Sequence, residues 1–360
     1  MKEKYVLVIN PGSTSTKVAI FKDEELLNNT SLNHPSDELK EFEKIADQYD
    51  YRKNIILQWL EKENVDLEIL DAVVGRGGLL RSIPGGTYTV TDTMVEDLKI
   101  GIQGEHASNL GGIIARSIAD DQGIPSFIVD PVSVDEFDDI ARVSGLPELP
   151  RISLLHTLNI KAVARRATAD LNKDLEDINL ILVHLGGGIS VAPLRKGKIV
   201  DVNNASEGGP FSPERAGGLP TGDIVKMCFS KEYTYAELKR AVVGRAGLVG
   251  YLGTNDAREV EKMIAEGDKK ADFIYDAMAY QIAKEIGAMS TVLKGEVEAI
   301  VLTGGLAYSK ILCERISNRI KFIAPLYIYP GEDEMLSLAE GAMRILNGKE
   351  EPKIYEEEVK

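Results

Sequence analysis

Leu180–Asp201 reads LILVHLGGGISVAPLRKGKIVD, and the chain uses the same plan at Tyr5–Leu26, YVLVINPGSTSTKVAIFKDEEL. In each, an apolar run ends in a glycine-containing turn, a second apolar run follows, and a polar turn leads to a third. Short runs of β-branched and aliphatic residues bounded by Gly, Pro and polar clusters read as strands. Asn10 aligns with Leu185 and Val18-Ala19 with Val191-Ala192, so the second turn is expected to be two residues shorter. The repetition predicts a duplicated domain with one copy in each half.

Between the copies, strands and helices alternate. FEKIADQYDYRKNIILQWLEKENV carries apolar residues near helical spacing, including Ile45, Tyr49, Ile55, Ile56, Trp59 and Leu60. DAVVGRGG reads as a short strand entering a glycine turn, NLGGIIARSIADDQG as a helix stopped at Gly123, and PSFIVD as a strand. PELPR, Pro147 to Arg151, is the expected hinge, followed by a helix in HTLNIKAVARRATADLN. Ala271–Leu293 is a strongly amphipathic helix, EAIVLTGGLAYS a strand with a glycine turn, KILCERISNRI a helix, and EMLSLAEGAMRIL a last helix ending at Asn347-Gly348. Such alternation predicts an α/β layer structure.

The 360 residues suffice for about two domains. A net charge of -15 argues against nucleic acid or an anionic membrane as the main partner. Cys228 and Cys313 form no disulfide framework, and with four scattered His they give no zinc spacing. No apolar run reaches membrane-span length, so a cytoplasmic location is expected. The acidic tail KEEPKIYEEEVK is expected to be a frayed, solvated end.

NPGSTSTK, Asn10 to Lys17, is either a polar hairpin tip or a loop whose amides, hydroxyls and Lys grip phosphate. GxxxxGK[ST] and GxGxxG are both absent, so any grip is of another type. His184-Leu185-Gly186-Gly187-Gly188 is either a bulged turn or a second close-approach loop, and its repetition of the first plan favours the second reading. Thr303-Gly304-Gly305-Leu306 suits a βα turn or the packing of a nucleoside. Arg76 in VGRGG and Arg215 in SPERAGG lie in glycine-rich loops, where they form surface ion pairs or neutralise a transferring phosphoryl group. His106 and His156 are each compatible with a core or capping role. Asp130 ends the strand FIVD, a favoured place for a functional carboxylate. The acids of GEDEM, Gly331 to Met335, bind a metal or favour the helix N-terminus that follows.

In order and spacing, these segments resemble the acetate/butyrate kinase family, within the superfamily of actin, heat-shock ATPases and sugar kinases. The resemblance spans nearly the whole chain and includes NPGSTSTK, GRGG, HTLN, HLGGGIS, SEGGPFSPERAGGLPTGD, AGLVGYLGTNDAREVE and VLTGGLAYS. It is closer to the butyrate than to the acetate branch. Acetate kinases generally carry NAGSSSLK, HLGNGAS and HRVVHGG where this chain has NPGSTSTK, HLGGGIS and VVGRGG.

The resemblance implies an α/β fold of two ribonuclease-H-like, actin-like ATPase domains, each built on a βββαβαβα plan, with an interdomain active-site cleft. The first domain is expected at 1–150 plus about 335–360, on the acid substrate side, and the second at 151–334, on the nucleotide side. The implied reaction is reversible transfer of the ATP γ-phosphoryl group to butanoate, with ATP/ADP and Mg2+ as cofactors. Alternatives are isobutyrate, acetate or propionate as acceptor. Rivals within the superfamily are a sugar or polyol kinase or a polyphosphate phosphatase, and a non-catalytic actin-like scaffold would be a different class. By the same resemblance Asn10, Ser13, Ser15 and Lys17 hold phosphate. His184, Gly186, Gly187, Gly188, Gly304 and Gly305 contact the nucleotide. Arg76, His106 and Asn109 bind the acid, and Arg76, Asp130, His156 and Arg215 are catalytic. Asn10 and Glu334 organise the metal. Partners are a short-chain fatty acid or acyl phosphate and further copies of the chain, as a homodimer or higher homo-oligomer, with neither nucleic acid nor membrane.

Overall fold

A computed structural model describes residues 3–359. The residues up to Asp135, together with those from Asp333 onward, form one compact unit, and Glu136–Glu332 form the other.

In the first unit the strands are β1 (Tyr5–Pro11), β2 (Ser15–Lys22), β3 (Glu25–Asn33), β4 (Ala72–Arg76), β5 (Thr87–Thr89) and β6 (Ser126–Val129), in the spatial order β5-β6-β4-β1-β2-β3. β1, β2 and β3 are antiparallel neighbours, whereas β4 runs parallel to β1 and β6 parallel to β4. Val6–Ile9 are completely buried, because helices Asn109–Gln122 and Glu334–Leu346 both pack on β1. A strand covered on both faces reads as a continuous apolar run, as YVLVI does.

The second unit carries β7 (Asn179–Leu185), β8 (Ile189–Arg195), β9 (Lys198–Ile199), β10 (Ala299–Gly304) and β11 (Leu326–Pro330), in the order β11-β10-β7-β8-β9. Successive side chains of β7 serve two cores, as the two-residue period of a strand requires. Ile181, Val183 and Leu185 meet Ile274, Met278, Ile282 and Ile286 of helix Lys269–Val292. Leu180 and Leu182 meet Ile160, Val163 and Ala167 of helix Thr157–Leu171.

The runs β3-β2-β1-β4-β6 and β9-β8-β7-β10-β11 match in order and sense, so the repeat read from the sequence is a repeat of the fold. Strand register corrects its alignment. Val18 pairs with Ile9, and Val191 pairs with Val183. With Val18 and Val191 equivalent, Asn10 corresponds to His184 rather than Leu185, and the second turn is one residue shorter, not two. Each copy's closing helix also differs from a simple repeat. Thr157–Leu171 follows β6 in the chain but packs on β7 and β10, while Glu334–Leu346 follows β11 but packs on β1, β4 and β6.

The chain passes into the second unit at Asp135–Glu136, ahead of the expected hinge at Pro147–Arg151. Phe137 and Ala141 already belong to the core around Ile160. Asp138 pairs with Arg195, and Arg151 donates to Asp201 at 2.7 Å. Four helices, Thr221–Phe229, Tyr235–Val242, Gly247–Leu252 and Ala257–Ala265, occupy a stretch in which the sequence predicts none. The first two bury no residue, although Tyr235–Val242 carries Leu238, Ala241 and Val242 at helical spacing, the signal that was available.

The acidic tail is not frayed. Lys353–Ile354 (β12) pairs with β5, and Tyr355 behind it is fully buried. The Tyr355 hydroxyl donates to Asp97 Oδ2 at 2.8 Å and accepts from the Arg81 amide at 3.2 Å. Asp97 also takes Arg81 Nε at 2.9 Å. Hydrogen bonds to a charged group contribute about 1.5–3 kcal/mol. Tyr355→Phe is therefore expected to lower unfolding free energy by about that amount in urea titrations; an unchanged midpoint would show that this anchor adds nothing.

Candidate active site

Asn10, Arg76 and Asp130 lie at the carboxyl ends of three adjacent parallel strands. Ile9 registers with Gly75 and Arg76 with Val129, so the three residues issue side by side from β1, β4 and β6. Ligand sites in α/β sheets form outside such strand ends. Glu334, the first residue of helix Glu334–Leu346, completes the cluster. Arg76 Nη1 donates to Glu334 Oε1 at 2.6 Å and, more weakly, to Asn10 Oδ1 at 3.4 Å, and Asn10 Nδ2 donates to Glu334 Oε2 at 2.9 Å. Beyond Asn10 the turn exposes Ser13 and Lys17, with Ser15 half-buried. The structure thus joins Asn10, Arg76 and Glu334, far apart in sequence, into one bonded group.

His106 is exposed, yet desolvation by the protein around its ring and, secondarily, the Arg76 charge lower its pKa. Its Nδ1 accepts from the Ser108 amide at 3.2 Å, which leaves Nε2 to carry the proton. Asn109, the other residue expected on the acid, is buried. Leu79 donates to its Oδ1 at 2.8 Å, and its Nδ2 donates to the carbonyls of Gly104 and Leu98 at 3.0 and 3.4 Å, so it holds backbone together. Asp130 is 1 % exposed and accepts from the Gly86 amide at 2.7 Å. That buried bond gives it a bracing role at the strand end.

In the second unit the equivalent strand ends carry His184, Thr303-Gly304 and the segment Gly331-Glu332. His184 is 1 % exposed, with Nε2 3.0 Å from Glu332 Oε1 and Nδ1 2.8 Å from Asn159 Oδ1. Both ring nitrogens are engaged, which fixes the ring at the strand end. His156 stacks on His184 with ring centroids 3.8 Å apart and is held by Ser190 Oγ at 3.1 Å from its Nδ1. One face of His156 therefore rests on a fixed platform while the residue stays half-buried.

The glycine turn itself is braced from the side. Ser212 Oγ donates to the Gly187 carbonyl at 2.5 Å and accepts from the Arg215 amide at 3.2 Å. The Arg215 guanidinium lies so close to Gly188 that a Cβ there would sit 2.5 Å from Nη1. At Gly304 two constraints meet: φ is +90°, and a Cβ would fall 2.4 Å from the Leu185 carbonyl oxygen. Only glycine fits the close approach of β10 to the turn. Gly186, Gly187 and Gly305 line a cleft of about 750 Å³ together with Arg258, Glu261 and Tyr308. Among the described residues no three or more His, Cys, Asp or Glu form a metal-binding group, and no helix is long and apolar enough to cross a membrane.

The model of the acetokinase family matches residues 154–329. Over 351 residues, 97% of this chain and 99% of the relative, the chain is 54% identical to "Butyrate kinase 2" of Clostridium acetobutylicum. With the same coverage it is 55% identical to "Probable butyrate kinase" of Clostridium botulinum strain Eklund 17B. The chain belongs to the acetokinase family. Its fold agrees with that of Porphyromonas gingivalis acetate kinase at 20% sequence identity and a TM-score of 0.79, covering 95% of this chain and all of that one.

The acetokinase-family sequence hid several residues that the fold brings to these sites. Glu332 was one acid in a run of three, and only the β11 strand end directs it to His184. Arg258 and Glu261 sit on helix Ala257–Ala265, whose N-cap Asp256 in TNDARE was the available signal. Arg52 is buried under the Asn10–Lys17 turn from a helix read only for its apolar stripe.

Proposed function

We propose that this acetokinase-family chain is a butyrate kinase, catalysing reversible transfer of the ATP γ-phosphoryl group to butanoate. Full-length identity above half to proteins named butyrate kinase carries the reading. The site chemistry agrees with it. A carboxylic acid titrates near ~4 and arrives at neutral pH as the nucleophile, so no general base is required. What the reaction needs is relief of repulsion between two anions. The residues at the strand ends supply that: guanidinium groups, hydroxyls, amides and histidine N–H, with no Ser–His–Asp arrangement.

In this scheme an oxygen of butanoate attacks the γ-phosphorus, the bond to the β,γ-bridging oxygen breaks, and ADP departs with that electron pair. Arg76 and His106 hold the acid. Ser13, Ser15 and Lys17 hold the phosphoryl group, while Arg215 and His156 donate to it as it moves. Gly186–Gly188 bind the nucleotide phosphates, and Gly304-Gly305 lie against its nucleoside in the 750 Å³ cleft. His184, Asn109 and Asp130 keep these parts in place. The pairing of Asn10 with Glu334 fits Mg2+, which takes one or two carboxylates and fills its shell with phosphate oxygens and water. When bound, the ion would neutralise phosphate charge. A homodimer or larger homo-oligomer belongs to the same reading.

The test is turnover on acids from two to five carbons, with the acyl phosphate trapped by hydroxylamine. Butanoate is expected to give the highest kcat/KM and a hydroxamate. One methylene changes binding by only ~1–3 kcal/mol, so neighbouring acids should react more slowly rather than not at all. Equal or better activity on acetate would sink the butyrate assignment. Absence of hydroxamate would sink the reaction class.

A further inference from the structure

Arg52, on helix Tyr49–Lys62, is completely buried, and no carboxylate pairs with it among the described residues. All its donors go to neutral oxygens. Nη1 donates to the Gly12 carbonyl at 2.7 Å, the Ser15 carbonyl at 3.3 Å and Thr16 Oγ1 at 3.2 Å. Nη2 donates to the Ser13 carbonyl at 3.0 Å and Gln48 Oε1 at 2.8 Å, and Nε to the same Gln48 oxygen at 3.1 Å. A cation held in the interior without a counter-ion carries a desolvation cost that these neutral acceptors must offset. Its retention here asks for a use outside packing.

The turn it supports supplies one. The carbonyls of Gly12, Ser13 and Ser15 face the guanidinium, and the Gly12 amide is spent on the Ser15 carbonyl at 2.7 Å. Ser13 and Thr14 stay exposed, and among the described residues neither their amides nor their hydroxyls have a protein partner. His34 adds no second charge. Its Nε2 bonds Thr16 Oγ1 at 2.8 Å, and burial, then the Arg52 charge, bring its pKa down to about 4.

We propose that Arg52 is the positioning residue of the Asn10–Lys17 turn, drawing its carbonyls inward and placing an uncompensated positive charge beneath a bound phosphoryl group. The proposal rests on that turn being a phosphoryl-binding loop.

Gln48→Glu separates this role from a structural one. The new carboxylate keeps both bonds to Arg52 but cancels its charge. Thermal stability is expected to hold or rise, while KM for butanoyl phosphate rises on the order of tenfold and KM for ADP moves little. Arg52→Lys keeps the charge but not the planar fork. It is expected to speed amide hydrogen exchange at Gly12 and His34, whose amides bond the Ser15 and Thr14 carbonyls at 2.7 and 2.8 Å, and to lower kcat about tenfold. Wild-type KM for butanoyl phosphate in folded Gln48→Glu, or wild-type exchange and kcat in Arg52→Lys, overturns the proposal. If Gln48→Glu fails to fold, Arg52→Lys decides alone. Ser13→Ala and Lys17→Ala are the reference variants. If they too leave the KM for butanoyl phosphate unchanged, the phosphoryl-loop reading fails; if they raise it and Gln48→Glu does not, only the role of Arg52 fails.

Discussion

Arg76→Ala is expected to lower turnover about 1000-fold or more while the protein stays folded. The side chain ends β4 between Asn10 and Glu334 and is 36% exposed, so it contributes little to the core. Ion pairs of this exposure contribute at most about 1 kcal/mol to stability. Its worth lies in the encounter of two anions. A guanidinium can bridge the acceptor carboxylate and the transferring group, and in the structure Glu334 occupies it at 2.6 Å. Glu334 thereby fixes the guanidinium at the strand end. Arg76→Lys restores charge without the fork and should recover only part of the loss. Steady-state kinetics together with a urea titration provide the check: a folded Arg76→Ala enzyme with most of its turnover would remove Arg76 from the reaction.

The plan around this residue was readable because strand ends are punctuated by chemistry. YVLVI, DAVVG, LILVHL and EAIVLT are apolar runs that stop at polar or glycine residues, and those stops are where the sites lie. Fully covered strands leave so strong an apolar signal that the duplicated plan survives without similarity in the turns. Register was not readable. Aligning Asn10 with Leu185 shortens the second turn by two residues, whereas hydrogen-bonded pairing places Asn10 opposite Lys17 and His184 opposite Ser190. That one-residue shift moves His184 from the place of Ile9, inside the strand, to the counterpart of Asn10 at the strand end. Asn109 and Asp130 show the limit of such reading. Residue type and strand-end position cannot say whether a polar group is used by a ligand or by the Leu79 and Gly86 amides. Arg52 was invisible because charge on an amphipathic helix is normally solvated, and only the tertiary fold lays the Asn10–Lys17 turn over it.

Arg215→Ala should cost turnover at least as much as Arg76→Ala, about 1000-fold, by a different route. Among the described residues no carboxylate pairs with Arg215. Its Nη1 donates only weakly to Ser206 Oγ at 3.3 Å, so its charge is uncommitted beside the glycine turn. Removing the side chain leaves the brace from Ser212 Oγ to the Gly187 carbonyl in place, and a Gly188 without Cβ tolerates the space. The Gly186–Gly188 turn should therefore keep its shape and ADP its affinity, while kcat falls. An interaction made only in the transition state lowers kcat and kcat/KM together; one made equally in the ground state raises KM alone. Isothermal titration with ADP alongside kcat measurement separates the two. Retained ADP affinity with collapsed kcat places Arg215 on the moving phosphoryl group. If affinity falls in step with kcat, Arg215 acts by bracing Gly186–Gly188, and the charge neutralisation assigned to it must come from elsewhere in the site.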